Sequence, residues 1–359
     1  MKVLLANPRG FCAGVYMAID VVNRVLDLCP GEPIYVYHEI VHNKHVVDRF
    51  RGRGVTFVNH ISEAPEGSIV VFSAHGVSPS VVRQAKERHL TAIDATCPLV
   101  TKVHMEALRY SRKGYHILLI GHRGHDEVEG TVGHAPDNIT VVESPEDVEQ
   151  LTVADPEHLA YLTQTTLSLD DAERIIAALK KRFPSIKAPP SEDICYATTN
   201  RQIAVRQLAP QCDLVLVIGS RNSSNSVRLT EIAEGIGTRA ILLDDQTELQ
   251  EGWFEGVGSV LVTAGASAPE DLVRDIVTEL VERFDAHVQQ YDVFSEDVEF
   301  SIPRSLKELM RERGADPTNE SVNTGVNVDL SSWAQTLRPG HYAPPVQVSI
   351  SAAGGTRSR

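Results

Sequence analysis

A chain of 359 residues, 42% of them hydrophobic, has room for two or three domains, and no apolar run in it is long enough to span a bilayer. Lys and Arg number 34 against 48 Asp and Glu, a formal charge of -14; with no basic cluster, this argues against nucleic acid or an anionic membrane as partner and leaves an acidic face for a redox partner. Five cysteines with no C-x-x-C pair, and no signal peptide ahead of the first strand, predict a soluble protein of the reducing cytoplasm.

In chain order, an apolar strand over 3–6 hands over to Cys12 and a helix in which Val15, Ala18, Ile19, Val22 and Leu26 recur at helical spacing. A strand over 34–37 ends near His42, and one over 69–72 ends near His75. The segment 90–96 leads to Cys97, with Pro98 suited to a first helical turn. Strands over 117–120 and 159–162 end near His125-Asp126-Glu127 and near Thr165, and Asp193-Ile194 leads to Cys195 and another helix. Strands over 214–218 and 260–262 end at Ser223-Ser224-Asn225 and at Gly265-Ala266-Ser267. Ser78 and Ser168 read as N-caps, and Pro79 and Pro269 as first-turn prolines. One or two short strands are expected over 288–294 and 298–303, then a mostly disordered tail with a short docking helix over 330–337.

Repetition organises these elements. Cys12, Cys97 and Cys195 lie 85 and 98 residues apart; His42, His125 and Ser223 lie 83 and 98 apart; His75, Thr165 and Gly265 lie 90 and 100 apart. Strict register sets Gly265 opposite His75, so repetition supports the third loop there rather than Ser267 itself. Strands alternating with helices imply parallel sheets with ligands at the carboxyl ends of the strands. The expected fold is therefore α/β: three similar parallel-sheet units in a pseudo-threefold arrangement around a central cavity. Their expected bounds are 13–96, 97–194, and 1–12 with 195–306, followed by the tail over 307–359.

A helix N-terminus favours a thiolate, and three cysteines at one focus match an iron-sulfur cluster that keeps one iron open. A single cysteine is more often buried filler; equivalent placement in three repeats reverses those odds, whereas Cys29 and Cys212 occupy no repeated position and read as structural. His42 with His45, and His122 with His125, have spacing that could serve zinc but sit in no recognisable zinc motif. His42, His75 and His125 with Ser223, Ser224, Asn225 and Ser267 make a good anion site, for which a diphosphate is the obvious anion. No nucleotide fingerprint follows a strand. Glu127 reads equally as a proton donor with a raised pKa and as an ordinary first-turn helix acid.

The strings Asn7-Pro8-Arg9-Gly10-Phe11-Cys12-Ala13-Gly14, Asp94-Ala95-Thr96-Cys97-Pro98, Gly124-His125-Asp126-Glu127-Val128-Glu129-Gly130-Thr131, Gln164-Thr165-Thr166-Leu167-Ser168, Cys195-Tyr196-Ala197-Thr198-Thr199-Asn200-Arg201, Asn222-Ser223-Ser224-Asn225-Ser226 and Ala264-Gly265-Ala266-Ser267 together resemble the bacterial 4-hydroxy-3-methylbut-2-enyl diphosphate reductase family. The resemblance spans about residues 1–306. It implies reductive removal of a hydroxyl from an allylic diphosphate, giving isopentenyl and dimethylallyl diphosphates, the last step of the non-mevalonate isoprenoid pathway. It further implies a [4Fe-4S] cluster on Cys12, Cys97 and Cys195, with diphosphate held by His42, His75, His125, Ser223, Ser224, Asn225 and Ser267. Thr165 would then bond near the hydroxyl and Glu127 supply the proton, with electrons from a small carrier such as ferredoxin or flavodoxin. A zinc hydrolase built on the His pairs and a non-catalytic iron-sulfur sensor are the rival readings.

Overall fold

The computed structural model describes residues 1–318, 333 and 336–349. In chain order, β1 (Lys2–Asn7) leads to α1 (Ala13–Leu28), β2 (Ile34–Tyr37) to α2 (Lys44–Gly52), and β3 (Val55–Val58) is followed by β4 (Ile69–Phe72), α3 (Pro79–Glu87) and β5 (Thr91–Asp94). Next come α4 (Pro98–Arg112), β6 (His116–Ile120), α5 (Asp126–Val132), β7 (Ile139–Val142), α6 (Pro145–Gln150), β8 (Leu159–Thr163), α7 (Leu169–Arg182) and α8 (Tyr196–Leu208). Then follow β9 (Leu214–Ile218), α9 (Ser224–Gly235), β10 (Arg239–Leu243), β11 (Ser259–Ala264), α10 (Glu270–Phe284), β12 (His287–Asp292), α11 (Arg304–Glu312) and β13 (Tyr342–Gln347).

These strands form three sheets, with orders β10-β9-β11-β1-β12-β13, β3-β2-β4-β5 and β7-β6-β8, and every ladder is parallel. The chain divides into two compact units. One, bearing the cysteines, comprises Cys12–Thr198 and 298–318; the other, built on the six-stranded sheet, comprises Met1–Phe11, Thr199–Asp297 and the described residues after 324.

The three sheets repeat one plan. A strand leading to the second loop of each repeat (β2, β6, β9) lies between an outer strand (β3, β7, β10) and the strand leading to the third loop (β4, β8, β11). Beside the third-loop strand lies the strand leading to a cysteine: β5 next to β4, and β1 next to β11. For Cys195 that position shrinks to a single bridge, Lys187 to Ala160 of β8, so the strand expected at Asp193-Ile194 is absent. Pro184, Pro189 and Pro190 remove ladder donors there, and the Asp193 carboxylate takes the bond instead, accepting from Thr163 N–H at 3.0 Å.

Within the six-stranded unit, neighbouring residues of each central strand go to opposite faces. Val3, Leu5, Leu216, Val260 and Val262 pack with Val273, Ile276, Val277 and Leu280 of α10, whereas Leu4, Val215, Val217 and Leu261 meet Val205 and Leu208 of α8 and Leu229 of α9. Both faces are covered by helices, which is why these strands read as unbroken apolar runs. Each such side chain contributes roughly 1.5–3 kcal/mol on burial.

Several local expectations change. The outer strands β3, β7 and β10 are additional to those read from the sequence. Ser78 and Ser168 do cap their helices and Pro79 does open α3, but Pro269 is the N-cap of α10 rather than its first residue. Residues 298–303 form no named strand; 298–318 belong with the cysteine-bearing unit, where Ser305 Oγ accepts from Asp94 N–H of β5 at 3.0 Å. The tail is also not uniformly without structure. Residues 307–312 complete α11, β13 extends the six-stranded sheet, and Trp333 and Leu337 are buried in its core. The remainder of the docking helix expected over 330–337, apart from residues 333, 336 and 337, lies outside the described residues.

Candidate functional site

Cys12 and Cys97 are the N-cap residues of α1 and α4, and Cys195 immediately precedes α8. All five cysteines are free thiols. Gly14 lies against two of them: a Cβ there would stand 2.6 Å from Cys97 Sγ, too close without a shift, and 4.0 Å from Cys12 Sγ, an ordinary contact. The charges of Cys12 and Cys195 are both felt at Cys97. Cys97 and Cys195 are nevertheless not depressed by their helices. Burial, reinforced by the neighbouring thiol Cys12, pushes Cys195 up to about 11 and raises Cys97 further, because desolvation outweighs a dipole effect of about 1 kcal/mol. Such thiols ionise only when a cation joins them. Among the described residues, the three thiols are not a group whose ligand atoms all lie within 4.8 Å of one another.

Next to Cys195 lies the carboxyl of Glu127. It is 2% exposed, in the first turn of α5, and accepts from Thr165 N–H at 2.6 Å and from Thr165 Oγ1 at 2.9 Å. Thr165 in turn accepts from Cys195 N–H at 3.0 Å, so one residue ties carboxyl and thiol together. Burial raises Glu127 to about 7, against the two hydrogen bonds from Thr165 that favour its anion. Glu127 is thus a first-turn acid of α5 and also a carboxyl raised by burial.

His42, His75 and His125 do meet. The His42 and His75 rings stack at 3.9 Å, and His125 stands edge-on to them at 5.2 and 5.9 Å. His125 caps α5, its Nδ1 accepting from Glu127 N–H at 3.2 Å, so its ring proton is on Nε2. Burial, then the neighbouring His42, lowers His125 to about 4; burial with His42 and His125 holds His75 well down. Neutral imidazoles of this kind are donors waiting for an anion, which would reverse the repulsion.

The sequence reading missed Asp126, which lies between two residues it did single out. Its carboxylate is 2.6 Å from His38 Nδ1 and 3.9 Å from both His42 Nε2 and His75 Nδ1. Burial would raise Asp126, but the hydrogen bond from His38 and the imidazole charges outweigh it. His42, His75 and Asp126 form a possible metal-ligand group, whereas among the described residues no such group includes His45 or His122.

In the six-stranded unit, Ser223 caps α9, accepting from Ser226 N–H at 3.4 Å and from the Ser226 and Ser267 hydroxyls at 3.0 and 3.3 Å. Ser224 and Asn225 open the helix. Asn225 is 4% exposed, yet neither atom of its amide has a partner among the described residues, an uncommon state for a buried polar group. Ser226, also missed, organises this loop. A Cβ at Gly219 or Gly265 would stand 2.2 or 2.0 Å from its Oγ, so both neighbouring loops need glycine.

Comparison with known proteins agrees. A family model described as LytB protein matches residues 3–281. The 4-hydroxy-3-methylbut-2-enyl diphosphate reductase of Rhodopirellula baltica is 54% identical over 88% of this chain and 98% of its own, and the Pseudomonas aeruginosa reductase is 54% identical over 86% and 99%. The solved structure of the E-1-hydroxy-2-methyl-but-2-enyl-4-diphosphate reductase from Plasmodium falciparum superposes with a TM-score of 0.85 at 39% identity, covering 87% of this chain and 99% of that one. The chain belongs to the LytB family and is a reductase of the 4-hydroxy-3-methylbut-2-enyl diphosphate reductase type.

Proposed function

We propose that this chain reduces its allylic diphosphate with Glu127 as proton donor, on a [4Fe-4S] cluster held by Cys12, Cys97 and Cys195. The observation that carries the reading is the buried Glu127 carboxyl, locked by Thr165 beside one of three converging thiols. When bound, the cluster supplies electrons singly and a Lewis-acid iron, which hydroxide needs as a poor leaving group.

The protein's part is proton and anion handling. With Oε1 of Glu127 taken by the Thr165 N–H, the proton of the neutral acid resides on Oε2, shared with Thr165 Oγ1. From there it passes to the substrate hydroxyl as the C–O bond breaks and water leaves. Two electrons and a second proton complete the balance, leaving a C–H bond in isopentenyl or dimethylallyl diphosphate. His42, His75 and His125 donate N–H groups to the diphosphate, and we propose Ser223, Ser224, Asn225 and Ser267 as its further ligands. An external one-electron carrier such as ferredoxin or flavodoxin supplies the reductant, in a reducing cytoplasm. Among the described residues, no helix is long and apolar enough to cross a membrane.

The test is anaerobic. The purified protein should contain iron and sulfide, absorb in the visible, and oxidise a reduced viologen dye only when 4-hydroxy-3-methylbut-2-enyl diphosphate is added. Serine at each of Cys12, Cys97 and Cys195 should abolish the absorption, whereas serine at Cys29 or Cys212 should not. Zinc in place of iron, or a cluster without diphosphate-dependent dye oxidation, would overturn the proposal.

A further inference from the structure

Away from this chemistry, the six-stranded unit brings together Asp285, His287 and His341, whose ligand atoms all lie within 4.8 Å of one another. Their assembly follows from the backbone. Asp285 ends α10 in the left-handed region (φ 51°), its N–H bonded to Leu280 C=O, and the chain turns at once into β12. His287 opens β12, and His341 stands just before β13. Because β12 and β13 are parallel, with Val288 opposite Tyr342 and Val288 N–H bonded to His341 C=O at 2.7 Å, the two histidines lie side by side. Their rings stack at 4.7 Å with 3° between planes. His341 Nε2 is 2.9 Å from Asp285 Oδ1, to which Arg338 also donates at 3.2 Å.

The geometry points to a surface site for a zinc-type divalent transition ion, held by Asp285, His287 and His341, that fastens β13 to the sheet. Two imidazoles and one carboxylate are the donors such ions prefer, and water completes a tetrahedron. Zinc–nitrogen bonds of about 2.0–2.1 Å require the two ring nitrogens to lie within about 4.2 Å, so the stacked rings need only tilt their edges together. The ion replaces the proton that His341 now shares with Asp285, and Arg338 gives up its hold on Oδ1. His287 also lines an open cavity of about 510 Å³ with Phe254, Val257 and Phe284, which leaves room for the water ligand. The ion would brace the outermost strand of the sheet. The cysteine and Asp126 groups belong to the other unit.

The test uses the full chain, freed of loose metal and titrated with Zn²⁺ against a chromophoric chelator. Wild type should take up one equivalent more than H341A, and one more than H287A, which alters a different strand. Bound Zn²⁺ should slow hydrogen exchange of the amides over 342–347 in wild type and leave both variants unchanged. Equal uptake by wild type and both variants would overturn the site; uptake that differs without slowing those amides would overturn the fastening.

Discussion

Glu127→Gln separates the chemistry of the site from its stability. In the wild type, the rise from 4.5 to about 7 makes the ionised carboxylate cost roughly 3 kcal/mol in the folded state. The folded chain therefore holds a proton between about pH 4.5 and pH 7 that the unfolded chain releases, and stability falls as pH rises through that window. Glutamine keeps the environment and removes the penalty: its carbonyl accepts from Thr165 N–H, and its amide donates to Thr165 Oγ1. The variant should match wild type in urea unfolding at about pH 4.5 and exceed it by up to about 3 kcal/mol at about pH 8. Its turnover should fall by about 10²–10⁴ with substrate binding and cluster absorption retained. Wild-type turnover should itself decline above about pH 7, as the protonated acid is lost. A stability difference that does not change between those pH values, or an equal loss of binding and turnover, would refute both the raised pKa and the donor role.

Gly14→Ala sets a Cβ 2.6 Å from Cys97 Sγ and should deplete bound iron while the far-ultraviolet dichroism is unchanged; full iron content would show that the sulfurs need not crowd α1. Asn225→Leu removes a buried amide with no partner, so it should unfold no more easily than wild type, or gain about 1–3 kcal/mol, while its KM for the diphosphate rises; destabilisation would mean the amide is structural. His42→Phe should raise KM for the diphosphate with the cluster spectrum unchanged, and a lost spectrum would count against an anion-binding role. Gly265→Ala forces Ser226 Oγ aside and should cost about 1–3 kcal/mol in thermal or urea unfolding; an unchanged midpoint would mean that the loop yields freely.

How much of this was readable beforehand depended on whether the cause was local. The runs ending near Cys12, Cys97, His42 and His75 announced parallel strands, and Ser78 and Ser168 announced helix starts, because each signal lies within a few residues of its effect. The outer strands escaped notice because segments such as Val55–Val58 and Ile139–Val142 are four residues long and only partly buried, and nothing in them marks a ladder partner. β13 contains Pro344 and Pro345, which suggest coil; they are tolerated because this strand lies at the edge of its sheet. Asp126 meets His38, His42 and His75, and Ser226 crowds Gly265, all brought by other strands, so neighbouring sequence gave little hint of either. The thiols were misjudged for a related reason: a helix dipole is visible in sequence, whereas desolvation depends on everything packed around the sulfur.

The position of β1 has a consequence for how this protein is made. Its six residues lie between β11 and β12, so its first ladder partner is complete only when residue 264 has been synthesised and its second only at residue 292. For most of translation, the nascent chain trails an unpaired apolar ribbon, a template for mispairing that a holdase would have to shield. Locking the six-stranded sheet is consequently a late event, because both ladders of β1 wait on strands from far along the sequence.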